Sequence, residues 1–297
     1  MDPTVGVIGL GIMGSAMAAN LVKSGFRVVG HDVAAAARRG HARAGGVVAR
    51  SNADVARRAP IVITSLPSAA ALESVAAEIA TTRRKGLIVV ETSTLPIEAK
   101  QAAREVLARA GIILLDCPLS GTGAQARTKD LLVYASGPRG AYAACKEVFR
   151  GFARGHYYVG GFGAGSKMKY VANLLVAIHN VAAAEAFTLA RKAGLDPARV
   201  LEVIGNGAGS SRMFQVRGPM MVAEDYRDAT MKIEVWQKDM HIIGEFATRL
   251  GCPTPLFATS APLYTAAMAS GYAKQDTGAV CAVLGEMAGL KKARRRR

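Results

Sequence analysis

Short apolar runs alternate with alanine-rich amphipathic stretches along the first 160 residues of the chain. The runs are rich in valine, isoleucine and leucine, and they fall near 4–8, 26–29, 47–48, 60–66, 87–91 and 112–116. Helical patterns near 68–81 and 96–110 lie between the later runs. Such alternation is typical of a doubly wound parallel sheet, whose ligands bind beyond the carboxyl ends of the strands. Two further runs, near 131–136 and 157–159, are predicted to extend the sheet.

A glycine-rich turn that starts at Gly161 ends this alternation. From Ser166 to Lys192 the chain contains neither glycine nor proline, and apolar residues cover every side of the helical wheel. This pattern predicts a long helix that is buried all round. Helical patterns near 196–205, 216–224, 230–250, 256–270 and 277–289 follow it. We therefore predict an α/β chain with a Rossmann domain over 1–162, an all-helical substrate and oligomerisation domain over 163–290 that opens with an interdomain helix at 163–192, and a disordered basic tail over 291–297.

A glycine motif directly follows the first apolar run and opens a helical pattern. It consists of Gly9, Leu10, Gly11, Ile12, Met13 and Gly14. Glycines there allow a tight turn and bring the backbone close to a pyrophosphate, which then sits at the positive end of the helix. The motif therefore predicts a dinucleotide site, and the alternative is a tight turn without a ligand.

Asp32 stands at the end of the second apolar run, eighteen residues after Gly14. An acid in this place binds the adenosine ribose hydroxyls and repels a 2′-phosphate, which favours NAD as the cofactor. Arg38 and Arg39 follow closely, so NADP remains possible.

Lys169 and Asn173 lie one turn apart on the long predicted helix and share a face. A buried ammonium needs a partner or a chemical role, which makes Lys169 a catalytic candidate. The alternative is a first-turn lysine that extends to solvent. Ser120, Gly121 and Thr122 form a small polar loop whose backbone amides suit a carboxylate, although a purely structural turn is the simpler interpretation. For Lys238 and Asp239 two interpretations are open, a functional pair or a surface ion pair.

Composition and charge exclude several classes of protein. The 297 residues carry a formal charge of 38 − 22 = +16, of which Lys291, Lys292 and Arg294 to Arg297 supply six. The basic body suits anionic ligands, and the tail is read as a solvated end without nucleic acid. Four widely spaced cysteines and the lack of a signal peptide favour a reduced, cytoplasmic protein. Five histidines without ligand spacing predict no metal, and polar residues within the longest apolar stretch argue against a membrane span.

Together these stretches resemble the β-hydroxyacid dehydrogenase family over nearly the whole chain. The glycine motif together with residues 17–21 resembles the cofactor signature of the family. Ser93-Thr94 with Pro96 resembles its second cofactor loop, and residues 116–121 resemble its substrate loop. Residues 161–173 resemble its catalytic motif, which implies that Lys169 is the catalytic lysine and that Asn173 is catalytic with it. The resemblance also implies that Leu66, Pro67, Thr94 and Lys238 contribute to the cofactor site, and that Asn173, Ser120, Gly121 and Thr122 bind substrate with Lys169.

The resemblance implies NAD(P)-dependent hydride transfer with a small carboxylate-bearing hydroxy acid or semialdehyde, of the 3-hydroxyisobutyrate, tartronate semialdehyde or L-threonate type. It also implies a homodimer or homotetramer. Thr122 departs from the usual glycine, and Lys129-Asp130 from the usual Gly-Thr, whereas residues 208–214 with Pro219 look like the sugar-acid branch. The rival functions are a catalytically silent nucleotide-binding module that uses the basic tail for nucleic acid, and an imine reductase of the same superfamily.

Overall fold

The apolar runs of the N-terminal half form the strands of one sheet in the computed structural model, which describes residues 4–290. The strands are β1 Thr4–Ile8, β2 Arg27–His31, β3 Val47–Val48, β4 Ile61–Thr64, β5 Ile88–Glu91, β6 Ile113–Asp116, β7 Leu119–Ser120, β8 Leu132–Ser136 and β9 Gly155–Gly160. Their order is β3-β2-β1-β4-β5-β6-β8-β7, with β9 paired to β8. Strands β1 to β6 run parallel, whereas β8 is antiparallel to β6 and β7. The strand order reverses at β1, so the carboxyl ends of β1 and β4 define the expected ligand crevice.

Helices connect these strands. They are α1 Ile12–Lys23, α2 Ala35–Arg43, α3 Asn52–Arg58, α4 Ala69–Ala80, α5 Ile97–Arg109, α6 Gly123–Arg127 and α7 Arg139–Phe152. Side chains alternate along each strand, so Ile63 of β4 packs in one apolar layer and Val62 in the other. Met17 and Phe149 belong to the first layer, and Leu72 to the second. Both faces of the sheet are therefore covered, which is why its strands are almost continuously apolar.

The second half of the described chain is helical, as the sequence predicts. The helices are α8 Ala164–Lys192, α9 Pro197–Gly205, α10 Arg212–Ala223, α11 Ile233–Arg249, α12 Pro255–Ala267 and α13 Val280–Met287. A π-helical turn, Met268–Tyr272, follows α12. The chain divides into two compact units after Lys169, so the division falls inside α8 rather than at its start. The predicted tail over 291–297 lies outside the described residues.

A buried ion pair organises the second unit. The Asp276 carboxylate accepts hydrogen bonds from Arg217 Nε at 2.9 Å and from Thr230 N at 2.8 Å. It also accepts from Met231 N and Gly278 N, so one carboxylate connects α10 to two loops. Both charged side chains are almost fully buried, at 2% exposed for Arg217 and 0% for Asp276.

Two predictions about the elements were wrong. Helix α8 is not buried on every side, because Met168, Val171 and Leu175 are 44%, 56% and 46% exposed. The argument from polar interruptions against a membrane span also fails, since α8 is long and apolar enough to cross one by length and composition alone. That test is also passed by core helices of water-soluble proteins, and Asn173 and Asn180 of α8 are buried with hydrogen-bonded partners. The short elements β7 and α6 flank the predicted polar loop, since β7 ends at Ser120 and α6 begins at Gly123.

Candidate active site

In the glycine motif between β1 and α1, two of the three positions have no space for a side chain. Gly9 has φ +86°, and a Cβ atom there would lie 2.1 Å from the carbonyl oxygen of Ser65. A Cβ atom at Gly14 would lie 1.8 Å from the carbonyl oxygen of Gly9. At Gly11, by contrast, a Cβ atom would meet no heavy atom within 4 Å, so this glycine keeps open space beside the loop.

That space adjoins the N-terminus of α1. The helix begins at Ile12 after Gly11, no side chain caps it, and its first turn, which includes Met13 and Gly14, holds no acid. The first backbone N–H groups of a helix have no partners within it, and they carry the positive end of the helix dipole. The loop is therefore suited to a pyrophosphate, and these residues fit a dinucleotide cofactor.

Asp32 is fixed beside this loop at the end of β2. Its Oδ2 accepts a hydrogen bond from Leu10 N at 2.7 Å, and its Oδ1 accepts one from Ala34 N at 2.7 Å. The Arg38 guanidinium donates to the carbonyl oxygens of Asp32 and Val33, at 2.5 and 3.1 Å. Arg38 is thus bound to the backbone at the strand end, and the acid is held next to the glycine motif.

The loops after β4 and β5 are joined to each other. Leu66 N donates to Ser93 Oγ at 2.8 Å, so the segment that contains Leu66 and Pro67 is connected to the one that contains Ser93 and Thr94. Both segments follow parallel neighbouring strands, and their position at the carboxyl edge suits a cofactor that crosses β1 and β4.

The polar loop after β6 packs against the glycine motif. A Cβ atom at Gly123 would lie 2.5 Å from Ile12 Cγ2, and Asn20 of α1 donates to the carbonyl oxygen of Ala126 at 2.7 Å. Ser120 ends β7, and Gly121 has φ +132°, a region that L side chains rarely adopt. The structure therefore brings this loop beside the first residues of α1.

Both departures from the family pattern have a local structural account. Thr122 precedes α6 with φ −100°, which any residue adopts, and its N–H donates to Gln125 Oε1 at 3.0 Å. Lys129 has φ +63°, so a lysine occupies a left-handed position where a glycine would be unstrained. The Asp130 carboxylate accepts from Gln125 Nε2 at 3.0 Å and from Arg154 Nε at 2.7 Å, which closes the loop.

The glycines before Lys169 let α8 start directly on the sheet. Gly163 has φ +91°, and a Cβ atom at Gly165 would lie 2.5 Å from Tyr134 O and 2.6 Å from Asp116 O. The backbone of the first turn therefore touches the ends of β6 and β8. Lys169 follows one turn later and is half-buried.

Asn173 is held by Asp239, an acid for which the sequence leaves open a functional role or a surface ion pair with Lys238. Its Nδ2 donates to Asp239 Oδ2 at 2.8 Å, and Lys238 Nζ lies 3.4 Å from Asp239 Oδ1. Asp239 is 6% exposed, so the surface interpretation is wrong for this residue. A signal was present, because Asp239 lies three residues after Trp236 and four before Ile243, on the apolar face of α11.

Comparisons with known proteins match both halves of the chain. The family model for the NAD binding domain of 6-phosphogluconate dehydrogenase matches residues 4–161. The model described as NAD-binding of NADP-dependent 3-hydroxyisobutyrate dehydrogenase matches residues 163–284. An L-threonate dehydrogenase from Cupriavidus necator is 34% identical over 94% of this chain and 95% of its own length. The chain belongs to the β-hydroxyacid dehydrogenase family.

Membership of the β-hydroxyacid dehydrogenase family makes the chain an NAD(P)-dependent oxidoreductase that acts on CH–OH groups. A mitochondrial 3-hydroxyisobutyrate dehydrogenase from Rattus norvegicus is 30% identical over 95% of this chain and 87% of its own length. A solved 3-hydroxyisobutyrate dehydrogenase from Salmonella typhimurium is 30% identical with a TM-score of 0.84, covering 94% of this chain and 99% of that one. Among residues 4–290, no group of three or more His, Cys, Asp and Glu side chains is placed to hold a metal.

Proposed function

We propose that the chain catalyses the reversible, NAD-dependent oxidation of a three- or four-carbon sugar acid, with L-threonate and glycerate as representatives. The observation that carries the reaction is the pair formed by Lys169 and Asn173, one turn apart on α8, with the Asn173 amide fixed by buried Asp239. Because Nδ2 of Asn173 donates to Asp239, its Oδ1 is directed away from that carboxylate.

A bound NAD would supply the hydride acceptor, and the residues of this chain would handle the proton and the orientation. Lys169 takes the proton of the substrate hydroxyl as the carbinol carbon loses its hydride. Asn173 Oδ1 accepts a hydrogen bond that orients the substrate, and backbone N–H groups near Ser120 and Gly121 hold the carboxylate.

The sugar-acid preference rests on two supports. The relatives that are at least 31% identical include L-threonate dehydrogenases from three bacteria. Ser210 Oγ is buried without a hydrogen-bond partner among the described residues, whereas the neighbouring Ser211 caps α10 by accepting from Phe214 N at 3.1 Å. A substrate hydroxyl that bonded to Ser210 would satisfy this buried group, which a methyl group could not do.

One experiment tests the reaction and the substrate together. Initial rates with NAD are measured for L-threonate, glycerate and 3-hydroxyisobutyrate, using wild type, Lys169→Ala and the matched control Lys167→Ala, whose side chain is exposed on the same turn. We expect kcat/KM for a sugar acid to exceed that for 3-hydroxyisobutyrate by ~10-fold, or roughly 1.4 kcal/mol. Lys169→Ala should lower kcat by at least ~10² while NADH affinity stays near wild type, because proton transfer typically contributes that much.

Near-normal turnover of Lys169→Ala would overturn the role of this lysine. Equal or better use of 3-hydroxyisobutyrate would instead overturn the sugar-acid preference and leave the reaction class intact. Lys167→Ala should match wild type, since its loss removes only a solvated charge.

We also propose that the chain prefers NAD to NADP, supported by the fixed Asp32 carboxylate, and that it acts in the cytoplasm as a homodimer or homotetramer. The exposed apolar side chains of Met168, Val171 and Leu175 support self-association, because they lie on one side of α8.

A further inference from the structure

Lys100 is a fully buried lysine that the proposed reaction does not use. It lies on α5 and is 1% exposed. Its Nζ is 2.7 Å from Glu91 Oε2 and 2.8 Å from Asp116 Oδ1, and it donates to the carbonyl oxygen of Ser93 at 2.7 Å. The contacts with Ser93 and Asp116 are hydrogen bonds, and the contact with Glu91 is an ion pair. Lys100 therefore connects the cofactor loop after β5 to the carboxyl end of β6.

Asp116 extends the connection to the first turn of α8. Its Oδ2 accepts from Ser166 N at 2.8 Å, and its Oδ1 accepts from Ser166 Oγ at 2.8 Å. Gly165 N donates to Ser136 Oγ at 3.0 Å. The first backbone N–H groups of a helix lack partners within it, so Asp116 and Ser136 satisfy two of them for α8. Ser166 lies one turn before Lys169.

The same face of α5 supports the turn that leads into α8. Ile97 Cγ2 is 3.5 Å from the position of a Cβ atom at Gly163, and the Arg104 guanidinium lies 5.1 Å from the centre of the Phe162 ring. Ile97, Lys100 and Arg104 are spaced by three and four residues and therefore share one side of α5. This side of α5 therefore lies next to the turn that leads into α8.

The charges in this cluster are costly to bury. Burial by itself lowers the pKa of the Lys100 ammonium, but the carboxylates of Glu91 and Asp116 outweigh it and hold the pKa above its ordinary value. One ammonium and two carboxylates leave a net charge of −1 under the positive end of α8, which favours the acid there. Well-packed apolar side chains of similar volume often give equal or greater stability, so we attribute this ion cluster to the geometry that it imposes.

We propose that Lys100 and Asp116 are positioning residues that fix the first turn of α8, and with it Lys169, relative to the cofactor loop at Ser93. The proposal rests on the proposed role of Lys169. Lys100 and Asp116 act through Ser93 and Ser166, and neither contacts the reacting atoms.

The test uses Asp116→Asn, which keeps the size of the side chain and leaves Lys100 paired with Glu91. An amide cannot accept from both Lys100 and Ser166 N–H as the carboxylate does, so the start of α8 should loosen while Ser93 keeps its bond to Lys100. The matched control is Asp54→Asn in α3, because Asp54 is also buried and accepts a backbone hydrogen bond, from Arg50 N at 3.0 Å. Both variants are compared with wild type well below their unfolding temperatures.

We expect Asp116→Asn to lower kcat by about 10-fold or more, with NADH affinity by fluorescence titration within about threefold of wild type. The primary deuterium isotope effect on kcat should rise, because hydride transfer becomes slower relative to product release. Amide hydrogen exchange at Gly165 and Ser166 should become at least about 10-fold faster. Asp54→Asn should show none of these changes. A structural role alone would lower the unfolding temperature in both variants and leave kcat and the isotope effect unchanged.

Two failures are distinguishable. If wild type oxidises none of the three hydroxy acids, the proposed function is overturned. If amide exchange at Ser166 is also unchanged in Asp116→Asn, the proposed fixing of the first turn of α8 is overturned as well. Active wild type with unchanged kcat in Asp116→Asn would overturn the positioning role alone. If Asp116→Asn does not fold, Ser166→Ala removes one of the same hydrogen bonds without a buried charge, and the same drop in kcat is required of it.

Discussion

At the scale of single residues, Asp32 should determine which cofactor is used. Its carboxylate is held by two backbone N–H groups beside the glycine motif, and Arg38 is engaged with backbone carbonyls instead of projecting from the strand end. Wild type should therefore prefer NAD, because a fixed carboxylate repels a 2′-phosphate. Asp32→Ser should lower the ratio of kcat/KM for NAD to kcat/KM for NADP by about 10-fold, or ~1.4 kcal/mol. Arg43→Ala, which removes an exposed basic side chain at the C-terminal end of α2, serves as the control. Wild type that uses NADP at least as well would show that an arginine governs the site.

Residue types and local spacing predict the candidate side chains but not the partners that hold them. Gly9, Gly14 and Asp32 belong to a local motif, whose geometry follows from a strand, a turn and a helix. The pairs Lys100–Asp116 and Asn173–Asp239 join residues 16 and 66 positions apart, and only the tertiary fold brings them together. Their buried charges are invisible to a pattern analysis, which assigns lysine and aspartate to the surface by default.

At the scale of elements, α8 shows what hydrophobic periodicity leaves undetermined. An all-apolar helix is predicted to be buried, yet Val171 and Leu175 are about half exposed while Asn173 and Asn180 are buried. Polar residues face inward here because each has a hydrogen-bonded partner, Asp239 for Asn173 and Thr277 for Asn180. The length of the helix was predictable from the absence of glycine and proline. Its orientation was not, because that depends on which polar groups the rest of the unit satisfies.

The exposed side of α8 makes the oligomeric state testable. Burying Met168, Val171 and Leu175 against a second copy would remove apolar area from water at about 25 cal/mol per Å². We expect light scattering to return two or four times the chain mass of 31.0 kDa. Leu175→Glu should shift the mass toward one chain, because a charge would be buried in the contact. Val203→Glu places the same charge at an exposed apolar residue of α9 and is the control. A monomeric wild type would contradict the prediction.

At the scale of the whole molecule, each of the two units contains a buried ion cluster among the described residues. The first holds Lys100 between Glu91 and Asp116, and the second holds Arg217 against Asp276. Exposed ion pairs contribute little to stability, whereas breaking a buried pair by removing one partner costs several kcal/mol. The two clusters should therefore set the pH limits of the folded state.

The acid limit follows from Asp276. Burial alone would raise the pKa of this carboxyl, but Arg217 and the N–H groups of Gly278 and Met231 outweigh it, so the pKa is below its ordinary value. A lowered folded pKa stabilises the protein above the unfolded value of about 3.9, and this contribution is lost as the pH falls through the folded pKa. The alkaline limit has the opposite sign. The raised pKa of Lys100 stabilises the folded protein fully below the unfolded pKa of about 10.4, and this contribution is lost as the pH rises through the folded pKa.

Urea unfolding of wild type and Asp276→Asn at several pH values checks the acid limit. At pH 7 the variant should be less stable by about 3–5 kcal/mol, because Arg217 is left buried without its counter-charge. The difference between the two proteins should shrink as the pH falls below about 4, since wild type then begins to lose the same charge. Asp225→Asn, which removes an acid whose ion pair with Arg227 is exposed, should change little at any pH. A stability difference that stays constant from pH 7 to pH 3 would mean that hydrogen bonds to Asp276, which an amide cannot reproduce, stabilise the second unit independently of its charge.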